Sequence, residues 1–174
     1  MGHSNKKLIN ALHKQSKKLW HVSNLYKIEE QEQLAAKLTN LSFASKVFFC
    51  NSGAEAVECS IKAARRYQFL QGTIEKKNII TFRGSFHGRT LGTIAASSNT
   101  NYLEGFGLPL EGFINIERDN IDKLLGALDK STAAILIEPI QGEGGINVFD
   151  TDFLKKVETI ARKKNILLIL DEVQ

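Results

Sequence analysis

The sequence predicts an α/β fold: a mainly parallel sheet with helices on both faces. Three observations carry this. Short apolar runs recur at residues 47–50, 79–82, 113–116, 133–137 and 166–170. The runs are apolar throughout rather than at every second residue, which marks strands covered on both sides. Between them lie stretches with apolar residues at helical spacing, so strand and helix alternate as crossover units require.

The elements follow in order. Leu8, Leu12 and Leu19 among lysines, then Leu34, Leu38 and Leu41, predict two amphipathic helices in an N-terminal segment, residues 1–45. The run 47–50 reads as a strand, Asn51-Ser52-Gly53 as a turn, and 54–69 as a helix through Val57, Ile61 and Ala64. The unit then recurs. Strand 79–82 leads through the loop 84–88 to helix 90–97, and strand 113–116 leads to helix 121–128. Strand 133–137 is followed by the Gly-rich loop 138–145 and a helix over 152–164, and 166–170 is the last strand.

Composition narrows the function classes. The net charge is +4, but residues 1–20 hold five lysines and no acid, leaving the remainder with 18 basic and 19 acidic groups. A neutral body without interleaved aromatics gives no nucleic-acid footprint. The longest apolar run, 166–170, is far short of the roughly 20 residues of a membrane helix. No secretory signal is legible at the N-terminus, so the cytoplasm is the expected location. Cys50 and Cys59, nine residues apart, form neither a disulfide framework nor a metal-ligand spacing, and no metal is expected.

Every polar cluster of interest falls at the carboxyl end of an expected strand, where parallel sheets bind ligands. Ser52-Gly53-Ala54-Glu55 opens a helix, whose free N–H groups and dipole suit a phosphate, although Ser52 with Glu55 is equally a capping box. The P-loop and dinucleotide glycine patterns are absent, which disfavours ATP and NAD. In Phe86-His87-Gly88-Arg89-Thr90 an aromatic ring can stack on a planar cofactor and Arg89 can grip a carboxylate. Core packing is the plainer reading of Phe86, and a surface or ion-pair residue that of Arg89. Glu138 and Glu143 bracket a Gly-rich loop and suit acid–base work, metal binding or merely a turn. Asp171, at the end of a buried strand, needs a cationic partner.

Four segments together resemble the class III aminotransferases: 48–56 (FFCNSGAEA), 85–92 (SFHGRTLG), 137–145 (IEPIQGEGG) and 171–174 (DEVQ). Residues 18–26 (KLWHVSNLY) are similar to the acetylornithine aminotransferases in particular. The resemblance implies part of the large domain of a fold-type I transferase over 46–174, with pyridoxal phosphate as cofactor. It implies that Ser52, Gly53 and Ala54 hold the cofactor phosphate, Phe86 stacks on the ring and Val173 packs on the opposite ring face. Asp171 pairs with the ring nitrogen, Gln174 reaches the ring hydroxyl, Arg89 binds the substrate α-carboxylate, and Glu143 gates a distant arginine. A ring nitrogen kept protonated makes the cofactor an electron sink. The implied partners are an amino acid and a 2-oxo acid, exchanging an amino group between N-acetylornithine and 2-oxoglutarate in arginine biosynthesis, in a homodimeric enzyme.

The pattern also departs from the family. None of the 17 lysines follows Asp171, where the family places its cofactor-anchoring lysine. The Gly-Thr phosphate element from the partner subunit, the arginine facing Glu143 and the small C-terminal domain are not found either. The expectation is a fragment inactive alone that binds pyridoxal phosphate weakly or not at all. The alternatives are another class III enzyme, acting on ornithine, succinylornithine or 4-aminobutyrate, or a non-catalytic remnant.

Overall fold

In a computed structural model, whose described residues are 1–97 and 99–174, the chain divides into two compact units, 1–48 and 49–174. The first unit contains α1 (Lys6–Ser16) and α2 (Glu29–Leu41), neither with a buried residue. Asn5 caps α1 by accepting from the Lys7 N–H, and three glutamates in the first turn of α2 complement its dipole.

The second unit runs α3 (Gly53–Leu70), β1 (Asn78–Phe82), α4 (Leu91–Ala96), a 3-10 turn (Thr100–Tyr102), β2 (Phe113–Ile116), α5 (Ile121–Ala127) and β3 (Thr132–Ile137). It continues with β4 (Ile140–Gln141), β5 (Asn147–Val148), α6 (Thr151–Lys164) and β6 (Leu167–Leu170). Strands β2, β1, β3 and β6 form a four-stranded sheet in that order, every pairing parallel. The short β4 and β5 make an antiparallel ribbon within the expected Gly-rich loop.

The side-chain period of two, with both faces covered, explains why the strands are mostly apolar, Thr81 and Asn115 satisfying each other by a hydrogen bond. Ile80, Phe82, Ile135 and Ile137 pack with Leu124 of α5 and Phe153, Val157 and Ala161 of α6. Their neighbours Ile79, Ala134 and Leu136 pack with Val57, Ile61 and Ala64 of α3. Each fully buried Ile, Leu or Phe contributes ~1.5–3 kcal/mol, so both faces need their helices. A buried glutamine joins the layers: Gln68 donates to the carbonyls of Ala133 and Asn165, 3.2 Å each. Asn165 itself closes α6 in the left-handed conformation (φ 51°).

The run 47–50 is not a strand. Its residues are apolar, but a strand also needs a ladder partner, and none pairs with it among the described residues. Phe48 is instead exposed. Of the first expected helix, Leu19 lies beyond the end of α1.

Candidate active site

All the site's elements belong to the second unit. The carboxyl ends of β1, β3 and β6 emerge on one edge of the parallel sheet, and each continues into one of the polar segments. There Gly53, Ala54, Phe86, Arg89, Asp171, Val173 and Gln174 line one cleft of about 280 Å³ together with His87 and Glu138.

At the start of α3, Ser52 Oγ accepts from the Glu55 N–H at 3.3 Å and Glu55 accepts from the Asn51 N–H at 2.7 Å. Half of the capping box therefore forms: the Glu55 carboxylate reaches past the cap to Asn51, whose side chain first and backbone second hold the Glu55 carboxyl below the ordinary 4.5. Ser52 is thereby spent on the helix, while Gly53 and Ala54, in the first turn whose N–H groups have no partner within the helix, line the cleft. A Cβ at Gly53 would stand 2.5 Å from Val173 Cγ1, so glycine is what allows α3 to touch the Val173 segment. The same holds one loop away. Gly88 has φ +123°, and a Cβ there would meet the Ala54 Cβ at 2.8 Å.

The floor of the cleft is an ionisable pair. His87 Nδ1 lies 2.8 Å from Asp171 Oδ2, with both side chains buried. The other oxygen, Oδ1, accepts from the Val173 N–H at 3.1 Å. Asp171 thus has the partner that its burial required, and the partner is His87. His87 Nε2 is buried and has no hydrogen-bond partner among the described residues. Glu138, also buried, accepts from the Phe86 N–H through Oε2 and from the Gly142 N–H through Oε1, 3.0 Å each. It ties the loop that carries Phe86 to the Gly-rich loop.

The rim is aromatic and charged. The Arg89 guanidinium lies 4.1 Å from the Tyr102 ring centroid and 5.6 Å from that of Phe86, and the two rings meet edge to face. Arg89 is exposed and has no carboxylate partner among the described residues, so of its two plain readings the surface one holds and the ion-pair one does not. Glu143 does not line the cleft; it accepts from the Tyr102 hydroxyl at 2.7 Å. That bond comes first in holding the Tyr102 hydroxyl above the ordinary 10, with desolvation and the charge of Glu143 adding to it and Arg89 opposing.

Sequence reasoning missed His87 and Tyr102 as contributors, and it offered Glu138 for acid–base work, metal binding or a turn rather than as the tie between two loops. Two signals were available: the demand of Asp171 for a partner, and the position of His87 between Phe86 and Gly88. Tyr102 left none, because its neighbours here come from loops 13 and 41 residues away.

A helix N-terminus, an aromatic ring, a buried carboxylate and an arginine thus surround one cleft at the carboxyl edge of an α/β domain. The chain belongs to the class III aminotransferases, whose family model matches residues 1–174. It is 53% identical to an acetylornithine aminotransferase of Agrobacterium fabrum and 54% to one of Mesorhizobium japonicum, in each case over its entire length. It spans 44% of the length of these curated relatives. Among solved structures, an ornithine aminotransferase of Toxoplasma gondii superposes with a TM-score of 0.91 at 31% identity, covering 97% of this chain and 40% of that one. An (S)-enantioselective omega-transaminase of Thermomicrobium roseum gives 0.90 at 29% identity, covering 97% and 43%. The fold is that of the fold-type I transferases, and class III aminotransferases depend on pyridoxal phosphate, which is present at partial occupancy in the Toxoplasma enzyme.

Proposed function

We propose that this chain supplies the ring-binding and carboxylate-binding half of an enzyme that exchanges an amino group between N-acetylornithine and 2-oxoglutarate, with pyridoxal phosphate as cofactor. The observation that carries the reading is the buried Asp171, held by His87 at the floor of a cleft that a helix start and Phe86 also line. The acetylornithine aminotransferases more than 50% identical to the chain support the choice of donor.

The residues present fit such a cofactor. The first N–H groups of α3, at Gly53 and Ala54, suit its phosphate, with Ser52 fixing the turn. Phe86 offers a face for the ring and Val173 an apolar contact at the same cleft, while Gln174 is within the lining to reach a ring hydroxyl. Asp171 would hold a proton at the ring nitrogen, its carboxylate already fixed in direction by His87 and the Val173 N–H. When bound, the cofactor supplies an electron sink for the carbanion of amino transfer. Arg89 would take the substrate α-carboxylate through its in-plane N–H fork, which the stacking on Tyr102 leaves unspent. Glu143 would act as a gate by pairing with a distant arginine and releasing it when the second substrate arrives.

In the same reading the enzyme works in the cytoplasm, in arginine biosynthesis, as a homodimer. Two free cysteines suit a reducing compartment, and no described helix is long and apolar enough to cross a membrane. The exposed Trp20, Leu25, Tyr26 and Phe43 of the first unit suit a subunit interface. The test is transamination of 2-oxoglutarate with four amino donors, by the polypeptide completed to the length of its relatives. The donors are N-acetylornithine, ornithine, succinylornithine and 4-aminobutyrate. Preference for N-acetylornithine in kcat/KM supports the proposal, and preference for another donor overturns it.

A further inference from the structure

Tyr102 stands where three functional side chains meet. It is half-buried in the 3-10 turn Thr100–Tyr102, whose start Asn99 caps by accepting from the Asn101 N–H. Its ring edge faces Phe86 (6.1 Å, 87°), its ring face carries the Arg89 guanidinium, and its hydroxyl donates to Glu143. An arginine and a glutamate that share one aromatic neighbour would ordinarily pair with each other. Here they do not, since Glu143 is satisfied by a neutral donor and Arg89 by a ring face. A guanidinium held by its face keeps its edge donors free, and a carboxylate ligand is bound by those edge donors.

We propose that Tyr102 is a positioning residue for substrate recognition: it keeps Glu143 from pairing with Arg89 and so holds the Arg89 fork open for the carboxylate of an amino-acid or 2-oxo-acid substrate. The proposal rests on the reading of Arg89 as the substrate-carboxylate site. Without the phenol hydroxyl, Glu143 has no partner among the described residues and is free to turn to Arg89, the cation on the same ring. Substrate must then displace an ion pair before it binds.

Glutarate tests this as a simple dicarboxylate, titrated into the nitrogen-15-labelled chain while the Arg89 Nε–H resonance is followed. Tyr102→Phe keeps the ring, and glutarate should bind about fivefold more weakly, the size of a competing exposed ion pair. Adding Glu143→Gln to that variant removes the competitor and should restore the original affinity, which loss of a merely structural tyrosine would not allow. Unchanged affinity in Tyr102→Phe, or a loss that the second substitution leaves in place, overturns the proposal. A second readout is the phenol titration in the Glu143→Gln variant with Tyr102 intact. The Tyr102 pKa should fall toward its ordinary value, and an unmoved titration overturns the contact. Arg89→Ala separates the two readings: glutarate binding that survives it removes Arg89 from carboxylate recognition and the proposal with it. Arg89-dependent binding without rescue removes Tyr102 alone.

Discussion

His87 Nδ1 and Asp171 Oδ2 are 2.8 Å apart and sealed from solvent, though 84 residues separate them in sequence. The contact joins the loop after β1 to the end of β6 across β3. One hydrogen bond between Nδ1 and the carboxyl sets the imidazole orientation. His87→Leu should leave a buried carboxylate short of one partner and lower the stability of the chain by about 2 kcal/mol. Urea denaturation checks this. His87→Asn, which keeps a donor near the same place, should recover part of the loss.

At Gly88 the loop after β1 closes on Ala54 of α3. The glycine's positive φ and the 2.8 Å approach to Ala54 Cβ leave no room for a side chain, and the Ala54 Cα is only 3.1 Å from the same point. Gly88→Ala should cost about 3 kcal/mol, since both the backbone conformation and the packing oppose it. The expected result is a lower thermal midpoint. An unchanged midpoint would show that α3 can shift away from the loop.

Much of this was legible in the sequence. The runs 79–82, 113–116, 133–137 and 166–170 became strands because burial on both faces leaves an uninterrupted apolar signature, and it appears again in Ile79/Ile80 and Ile135/Leu136 packing to opposite sides. The run 47–50 bears the same signature without a ladder partner, and local pattern carries no information on pairing. Motif residues such as Phe86, Arg89 and Asp171 converge because parallel strands send their carboxyl ends to one edge. The contacts that fix them were not legible. His87 to Asp171, Glu138 to the Phe86 N–H and Tyr102 to Glu143 are set by distances between loops, which no spacing within a segment encodes.

In the completed enzyme Arg89 and Asp171 should fail differently. Arg89→Lys keeps the charge and loses the planar fork, so KM for 2-oxoglutarate should rise about tenfold while cofactor affinity holds. Asp171→Asn keeps the shape and loses the charge, so kcat should fall by about a hundredfold or more with substrate affinity nearly kept. Steady-state kinetics with a cofactor titration distinguish the two. Cofactor loss in Arg89→Lys would make that residue structural.

Part of the acid limb of stability should trace to two hydrogen-bonded carboxylates at element ends. Glu55 is held below 4.5 first by the Asn51 side chain, then by the Asn51 N–H and by Ser52. Asp129 is held below 3.8 first by the Ser131 hydroxyl, then by the Ser131 N–H and by Thr132. A carboxylate whose folded pKa is depressed binds protons more weakly when folded. Its contribution is therefore complete above the unfolded value and is lost as pH falls through the folded one. Stability should be level with respect to these groups above about pH 5 and should decline from about pH 4.5 downward, with Asp129 adding its share below about 3.8. Glu55 and Asp129 are both solvent-exposed, so salt should blunt the Coulombic part and leave the hydrogen-bonded part. Urea midpoints measured from pH 3 to 7 should show a shallower acid decline in Glu55→Gln than in the parent. Equal slopes would mean that the cap at Asn51–Glu55 makes no net contribution, because the unfolded chain holds Glu55 at the same pKa.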